Sequence, residues 1–334
     1  MNVGVIGGGS WGTTIAYLLS QNPSNRIKLW MRNPEVVATI NSTRLNPKYS
    51  GETDLSERVE ASTDLEAVVR SCPVLLLVVT SASAREVLHD MGAFLDGSQI
   101  LIHCIKGFEH TSFKRISDII REETCCRKLG VLSGPNLAKE ILMGFPSATV
   151  VASPFAEVVA VAQEILRSPS FRVYGHSDVI GVEIAGALKN IIALAAGMAG
   201  GLGFQHNTQS LLLTRGLVEI TRFGLRLGAQ SSTFRGLAGM GDLIATCSSR
   251  LSRNYQVGER IALGESLDQV LGSMSYVAEG VPTTRSVQRM CEQLVVDMPI
   301  TTGVYHLLEG RISPREAIGG LMSREYIYEE EFVG

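Results

Sequence analysis

The chain has 334 residues, of which 45% are hydrophobic and 19% are charged, and its net charge is −3. The length favours two domains over one, and the composition excludes a disordered chain. The slightly negative charge argues against nucleic acid or an anionic membrane as the main partner.

A strand pattern begins at Asn2, so no secretory signal peptide is expected. The longest aliphatic run, VLLLVV at residues 74–79, is too short to span a bilayer. The six cysteines include no CxxC pair, which indicates reduced thiols, and the six histidines show no metal-ligand spacing. We therefore expect a cytoplasmic protein without a metal site or membrane insertion.

The first element is a short apolar strand that leads into a glycine-rich turn and a helix over residues 10–19. Gly7, Gly9 and Gly12 match the pattern G-x-G-x-x-G, and a second strand follows at residues 26–30. In this pattern the first glycine permits the tight turn, the second admits a pyrophosphate, and the third lets the helix pack on the strand. The context favours dinucleotide binding over a purely structural turn.

The end of the second strand bears on the choice of dinucleotide. An NAD-selective site usually has Asp or Glu there, to bind the ribose 2′-hydroxyl. This chain has Trp30, Met31 and Arg32 instead, and the first acid is Glu35. The Arg32 guanidinium suits a 2′-phosphate, although a solvated surface arginine would give the same sequence. NADP is therefore expected to be tolerated or preferred, with NAD as the other candidate.

Alternation of strands and helices continues to about residue 177 and predicts a mostly parallel sheet covered on both faces. The predicted strands are residues 74–79, 100–104, 129–132, 148–152 and 171–174, and the predicted helices are residues 63–71, 83–95, 112–123, 136–143 and 154–167. Long stretches with a 3.6-residue period then replace the strands. We expect an α/β Rossmann-type domain over residues 1–178 and an all-helical domain over residues 179–334.

Two candidate ligand contacts follow strands of the predicted sheet. Ligands of such sheets bind beyond the carboxyl ends of the strands. Lys106 follows the strand ILIHC, and the turn of residues 133–136 follows LGVL and precedes a helix. The lysine could contact an anion or a carbonyl, or it could be an ordinary loop lysine.

The helical domain supplies the remaining candidates. Lys189 lies in GALKNIIALAAG, where a desolvated ammonium beside another cation would have a lowered pKa and could exchange protons near neutrality. A side chain that reaches water at a domain seam is the alternative. Asp242 could cap a helix or orient an ammonium, and Thr246 follows one turn later. Arg253 and Asn254 suit a phosphate, although a surface basic cluster would look similar.

Eight motifs, in order over essentially the whole chain, resemble the NAD(P)-dependent sn-glycerol-3-phosphate dehydrogenases of the bacterial type. They are GGGSWGTTIA (7–16), IKGFE (105–109), SGPNLAKE (133–140), GALKNIIALAAGM (186–198), LLTRGLVE (212–219), GLAGMGDLIATC (236–247), SRNYQVG (252–258) and VAEGV (277–281).

The resemblance implies reversible hydride transfer between NAD(P)H and dihydroxyacetone phosphate, giving sn-glycerol 3-phosphate for phospholipid synthesis. It also implies a homodimer and a helical domain of the 6-phosphogluconate dehydrogenase-like type. By motif position, the residues implied to contact the dinucleotide, besides the three glycines, are Ser10, Trp11, Arg32, Lys106, Ala138, Arg253, Val277 and Glu279. Those implied to contact substrate are Lys106, Gly134, Asn136, Lys189, Asp242, Ser252, Arg253 and Asn254. Lys189 would be the proton donor and acceptor, with Lys106 and Asp242 also catalytic.

Two residues depart from the family pattern, since Asn136 stands where Ser or Thr is usual and Gly201 stands where Asp is usual. Two other functions stay open. One is a two-domain dehydrogenase that acts on a hydroxy acid or a sugar-phosphate acid, which would need a carboxylate clamp. The other is a non-catalytic dinucleotide sensor, in which Lys189 would be dispensable.

Overall fold

The chain divides into two compact units in a computed structural model that describes residues 1–274 and 277–323. Unit 1 comprises residues 1–105 and 114–179, and unit 2 comprises residues 106–113 and the chain from Ile180 onward.

The sequence predicts one domain boundary, between residues 178 and 179. The structure differs in assigning residues 106–113 to the helical unit. The segment follows a strand of unit 1 in sequence but groups with unit 2. The reason is hydrophobic: Phe108 is only 1% exposed and belongs to the apolar core of the helical unit. Lys106 is therefore a residue of unit 2.

Unit 1 is built on an eight-stranded sheet. Its strands are β1 (Asn2–Ile6), β2 (Arg26–Trp30), β3 (Val59–Ser62), β4 (Val74–Leu77), β5 (Ile100–His103), β6 (Leu129–Ser133), β7 (Ser147–Ala152) and β8 (Phe171–His176). Their order is β3-β2-β1-β4-β5-β6-β7-β8. Only the β6–β7 pair of this sheet is antiparallel, so the expected mostly parallel sheet is observed.

Helices cover both faces of this sheet. They are α1 (Ser10–Ser20), α2 (Pro34–Thr43), α3 (Leu65–Ser71), α4 (Ala84–Gly92), α5 (Ile116–Glu123), α6 (Ala138–Leu142) and α7 (Ala156–Ile165). Two separate apolar clusters result, one on each side of the strands. The central strands β4 and β5 are buried at every residue, as expected for parallel strands with helices on both faces.

The sequence pattern predicts neither β3 nor α2. The edge strand β3 has only four residues, and only Val59 and Ala61 are buried, so its alternation is too short to stand out. Helix α2 has one buried residue, Ile40, and begins at Pro34 after Asn33, whose side chain accepts hydrogen bonds from the helix N-terminus. Local capping, rather than an apolar stripe, marks its start.

From Ile180 onward, the part of unit 2 that the structure describes is built of helices. Its helices are α8 (Val179–Gly201), α9 (His206–Arg226), α10 (Ser231–Phe234), α11 (Asp242–Ser248), α12 (Arg253–Ala262), α13 (Leu267–Ser273), α14 (Gly280–Leu294), α15 (Pro299–Leu308) and α16 (Pro314–Met322). Helix α8 is long and apolar enough to cross a membrane by length and composition, but 94% of its most apolar window is buried inside the protein. It forms the centre of the apolar core of unit 2.

A buried carboxylate ties two helices of unit 2 together. Glu219 of α9 accepts hydrogen bonds from the backbone N–H groups of Ile300 (2.5 Å) and Thr301 (3.1 Å), in the first turn of α15. The Thr301 hydroxyl also donates to this carboxylate, at 3.2 Å. Burial nevertheless raises the pKa of Glu219 to about 7, because desolvation outweighs the hydrogen bonds to its charged form.

Candidate active site

In the glycine-rich turn of unit 1, backbone atoms occupy the space that a side chain would need at Gly7 and at Gly12. Gly7 has φ +121°, in the region that favours glycine, and a Cβ there would overlap the Val78 carbonyl oxygen. A Cβ at Gly12 would overlap the Gly7 carbonyl oxygen, so α1 packs directly on the turn. At Gly9, by contrast, no heavy atom lies within 4 Å of the Cβ position. The turn is therefore packed against other backbone atoms at Gly7 and Gly12 and borders open space at Gly9.

The residues around this open side fit the pyrophosphate of a dinucleotide. Helix α1 begins at Ser10 and has no acidic residue in its first turn, so its N-terminal N–H groups can face an anion. The indole nitrogen of Trp11 is buried and has no hydrogen-bond partner among the described residues. A buried donor without a partner is a group that a ligand oxygen can satisfy.

An acid that the sequence pattern did not reveal lies beside Arg32. The Glu86 carboxylate of α4 is 3.2 Å from the Arg32 guanidinium, and both side chains are more than half exposed. No acid directly follows β2, but α4 supplies one that pairs with Arg32. No spacing rule links residues 32 and 86, because only the sheet brings them together.

Unit 2 brings the three predicted catalytic residues together in one cluster. Lys189 of α8 donates hydrogen bonds to one carboxylate oxygen of Asp242 and, at 2.7 Å, to the Thr246 hydroxyl. Lys106 donates to the other carboxylate oxygen of Asp242, at 2.7 Å. Lys189 is 6% exposed and Asp242 is 1% exposed. Residues far apart in sequence therefore meet at a single carboxylate.

Asp242 lies at the junction of two helical segments. Residues Leu237–Gly241 form a wide helical turn, and the tighter helix α11 starts directly at Asp242. Thr246 lies one turn later on the same face, as its spacing predicts, and its hydroxyl is 3.4 Å from the Asp242 carboxylate.

The cluster sets the proton affinity of its central lysine. The pKa of Lys189 is lowered to about 7, chiefly by burial and also by the nearby charge of Lys106. The Asp242 carboxylate acts in the opposite direction, since it favours the charged ammonium. Desolvation is the largest of these effects, and it makes Lys189 a group that can exchange a proton near neutral pH.

The predicted phosphate-binding residues lie at the start of α12. Ser252 precedes this helix, and its hydroxyl accepts a hydrogen bond from the Tyr255 backbone N–H at 3.3 Å. Arg253 is the first residue of α12 and is exposed. The Asn254 side chain instead makes internal contacts: it donates to the Asn190 side chain and accepts from the Gly280 N–H, both at 2.9 Å. The predicted cofactor contacts Val277 and Glu279 lie just before α14, which begins at Gly280.

The turn after β6 holds Asn136 against the neighbouring strand of unit 1. The Asn136 amide donates to the Ala148 carbonyl and accepts from the Thr149 hydroxyl, each at 2.9 Å. Gly134 lies in the same turn, and a Cβ there would come within 3.0 Å of the Thr149 Cα. The predicted cofactor contact Ala138 begins α6. The amide that was expected to contact substrate thus binds β7, which would orient this turn.

A glycine-rich turn that fits a dinucleotide, on a mostly parallel sheet, and a buried lysine–aspartate cluster in a helical unit define a class, the two-domain NAD(P)-dependent dehydrogenases. The family model described as the N-terminus of NAD-dependent glycerol-3-phosphate dehydrogenase matches residues 2–159. The model described as its C-terminus matches residues 178–319. The chain belongs to the glycerol-3-phosphate dehydrogenase family.

Relatives of known name agree over the full length of the chain. The chain is 42% identical to the glycerol-3-phosphate dehydrogenase [NAD(P)+] of Macrococcus caseolyticus, covering 97% of this chain and 98% of that protein. It is 43% identical to the protein of the same name from Halothermothrix orenii, covering 99% and 97%. The crystal structure of glycerol-3-phosphate dehydrogenase from Coxiella burnetii superposes with a TM-score of 0.92 at 30% identity, covering 97% and 99%.

These comparisons confirm the predicted family, the Rossmann-type and 6-phosphogluconate dehydrogenase-like fold classes, and an enzyme that uses NAD or NADP. They also support a small molecule as its substrate.

Proposed function

We propose that this chain reduces dihydroxyacetone phosphate to sn-glycerol 3-phosphate with NADPH or NADH, and catalyses the reverse oxidation. The observation that carries the proposal is Lys189, buried between Asp242 and Thr246 with its pKa lowered to about 7. A dehydrogenase of this family needs one group that can give and take a proton at neutral pH. Lys189 meets that requirement.

Reduction of a ketone adds a hydride to its carbon and a proton to its oxygen. The bound dinucleotide supplies the hydride, and we assign the proton to the Lys189 ammonium. An ammonium has three protons, and the contacts with Asp242 and Thr246 use two of them, so the third is available to the substrate oxygen. In the oxidation the neutral amine takes the proton back.

Lys106 and Asp242 support this proton transfer in opposite ways. Lys106 adds a positive charge beside Lys189, which helps the ammonium to release its proton and stabilises a developing alkoxide. Asp242 fixes the positions of both lysines and raises the pKa of Lys189, so that enough ammonium is present at neutral pH. We therefore assign Asp242 an orienting and electrostatic role.

We assign the substrate phosphate to Arg253 and the N-terminus of α12. The guanidinium suits a phosphate, and the N–H groups of a helix start attract anions. The Asn254 side chain is engaged with Asn190 and Gly280, so its contribution would be indirect. At saturating NADPH, which removes any effect of Arg253 on cofactor binding, Arg253→Ala should lower the rate on dihydroxyacetone phosphate by about 30- to 1,000-fold and leave the low rate on dihydroxyacetone unchanged.

For the dinucleotide we assign the pyrophosphate to the turn Gly7–Gly12 with Ser10 and Trp11, and a 2′-phosphate to Arg32. Further contacts by Lys106, Ala138, Arg253, Val277 and Glu279 rest on the family motifs. We also propose a cytoplasmic homodimer that binds neither nucleic acid nor membrane and supplies glycerophospholipid synthesis.

The deciding experiment measures initial rates with dihydroxyacetone phosphate and NADPH for the wild type and for Lys189→Met. We expect the variant to lose at least about a hundredfold in rate, the lower end of the usual contribution of general acid catalysis. NADPH binding should stay near normal, because the glycine-rich turn belongs to unit 1. Lys128→Met is the matched control, since Lys128 pairs with Glu157 on the surface of unit 1.

Each alternative function predicts a different result. A dinucleotide sensor would show no turnover in the wild type, and a hydroxy-acid dehydrogenase would prefer a carboxylate substrate to dihydroxyacetone phosphate. A Lys189→Met enzyme that keeps most of its rate would contradict the proposed proton donor.

A further inference from the structure

Asn46 is a buried amide directly behind the glycine-rich turn of unit 1. It lies in the loop between α2 and β3 and is 1% exposed. Its side-chain nitrogen donates to the Gly8 carbonyl oxygen at 3.2 Å and to the Thr13 hydroxyl at 2.9 Å. The Thr13 hydroxyl also lies 3.4 Å from the same Gly8 carbonyl oxygen and can donate to it. Two side chains thus converge on one peptide group of the turn.

The loop holds Asn46 rigidly in this position. The Asn46 side-chain oxygen accepts from the Lys48 N–H at 3.3 Å, so the amide orientation is fixed. The Asn46 backbone N–H donates to the Ser50 hydroxyl, and its carbonyl accepts from the Ser50 N–H, both at 3.0 Å. Ser50 is 3% exposed. An amide fixed on both sides can determine the orientation of the group it binds.

The orientation of the Gly8 carbonyl decides where the next N–H points. The Gly8–Gly9 peptide is trans, and in a trans peptide the carbonyl and the N–H point in opposite directions. Because Asn46 holds the Gly8 carbonyl on the protein side, the Gly9 N–H is directed to the other side. Gly9 also borders open space, since nothing lies within 4 Å of its Cβ position.

We propose that Asn46 is a positioning residue of the dinucleotide site, which aims the Gly9 N–H at the pyrophosphate by holding the Gly8 carbonyl. The inference rests on the dinucleotide site proposed for this turn. Without the amide the Gly8–Gly9 peptide can rotate, since glycine on both sides permits many backbone conformations. The site would then lose one aligned donor to an anion.

Asn25 provides a matched control within the same unit. It is 2% exposed, and its side-chain nitrogen donates to the Leu19 carbonyl at 2.9 Å and to the Ile165 carbonyl at 2.8 Å. Asn25 follows the C-terminal end of α1, whereas Asn46 acts at the N-terminal end. Replacement of either asparagine by alanine leaves backbone carbonyls without their hydrogen-bond donor. Only Asn46→Ala does so at a carbonyl of the glycine-rich turn.

The experiment compares the wild type with Asn46→Ala, Asn25→Ala and Thr13→Val by titration and thermal unfolding. The probes are NADPH, ADP-ribose, which has the pyrophosphate without nicotinamide, and adenosine 2′-monophosphate, which has no pyrophosphate. Thr13→Val keeps the branched shape of the side chain and removes the second donor to Gly8, so it tests the same peptide if Asn46→Ala fails to fold.

We expect Asn46→Ala to weaken NADPH and ADP-ribose by the same factor, about tenfold or more, and adenosine 2′-monophosphate hardly at all. Thr13→Val should act in the same direction, and Asn25→Ala should lower the melting temperature without changing any affinity. Equal losses on all three probes, or unchanged affinity for NADPH, would overturn the inference. A wild-type chain that binds neither NADPH nor ADP-ribose would instead overturn the dinucleotide site itself, and the role of Asn46 with it.

Discussion

The two units build their sites from different material. Unit 1 uses backbone: a turn shaped by Gly7, Gly9 and Gly12, with peptide N–H groups as donors. Unit 2 uses ionisable side chains that it removes from water, with Lys189 and Asp242 almost fully buried. The site in unit 1 depends on space that a side chain would fill, and the site in unit 2 depends on the protonation states of its lysines and its carboxylate.

This difference separates the ways in which the two sites can fail. A backbone site is sensitive to a single added methyl group and has no titratable group of its own. A buried charge cluster tolerates little loss of a partner, because an uncompensated charge in the interior is costly. Variants of unit 2 should therefore change pH dependence, and variants of unit 1 should change affinity.

Asp242→Asn should have the largest effect, because it removes the carboxylate that two lysines share. Asp242 raises the pKa of Lys189, so its loss moves that pKa below about 7 and leaves less ammonium at neutral pH. We expect ketone reduction to slow by about 10²- to 10⁴-fold at neutral pH and its pH profile to move to lower pH. Rate profiles over pH test this, with the exposed Asp90→Asn as control. A profile that keeps its wild-type position would contradict the assigned role of Asp242.

Glu219→Gln tests whether the pH dependence of stability also comes from unit 2. The pKa of Glu219 is raised from 4.5 to about 7, so the folded chain binds this proton more tightly than the unfolded chain does. The contribution of Glu219 to stability is therefore present below pH 4.5 and is lost as the pH rises through about 7, at about 1.4 kcal/mol per pH unit. Urea unfolding across this window should show a flatter pH dependence for the variant. Equal slopes in both proteins would mean that Glu219 does not titrate in the window.

Gly9→Ala tests the opposite property in unit 1. Gly9 has φ −71°, which alanine adopts easily, and the methyl group would enter open space. We expect the melting temperature to be preserved while NADPH affinity falls by about tenfold or more, because the methyl group occupies the approach of the pyrophosphate. Gly12→Ala is the contrasting variant, since its methyl group overlaps the Gly7 carbonyl and should destabilise the fold by about 1–3 kcal/mol. Unchanged NADPH affinity in Gly9→Ala would place the pyrophosphate elsewhere.

Glu86→Gln should have the smallest effect, because both partners of its ion pair with Arg32 are exposed. Removal of the carboxylate frees the guanidinium for a 2′-phosphate, so NADPH affinity should rise by about two- to fivefold and NADH affinity should hardly change. Titrations at low ionic strength give the clearest difference. The same substitution in an Arg32→Ala background should have no effect, and an equal gain there would show that Glu86 acts without Arg32.

The sequence predicted the backbone site better than the charge cluster for a physical reason. The glycine spacing is local, so the sequence alone assigns Gly7, Gly9 and Gly12 to a turn that fits a pyrophosphate. Lys106 and Lys189 were open alternatives by spacing alone, and only the family motifs gave them a role. Both lysines bind the Asp242 carboxylate, and this contact joins positions that are far apart in the sequence.

Other contacts had no usable signal in the sequence. Asn46 reaches the turn from a loop after α2, a helix that the pattern did not predict. Glu86 of α4 pairs with Arg32, which follows β2, although the two residues are far apart in the sequence. The internal contacts of the Asn136 and Asn254 amides were equally hidden, because an amide that could bind substrate can also bind backbone.

The segment of residues 106–113 has a consequence for how the chain can be made and divided. During synthesis Phe108 leaves the ribosome before α8 does. It can therefore be buried in the core of unit 2 only after the helices of that unit have been made. A fragment that starts at Ile180 would lack both Phe108 and Lys106, and a fragment that ends at Val179 would carry an apolar side chain without its core. Dissection of this enzyme into halves therefore requires grafting the segment rather than cutting the chain once.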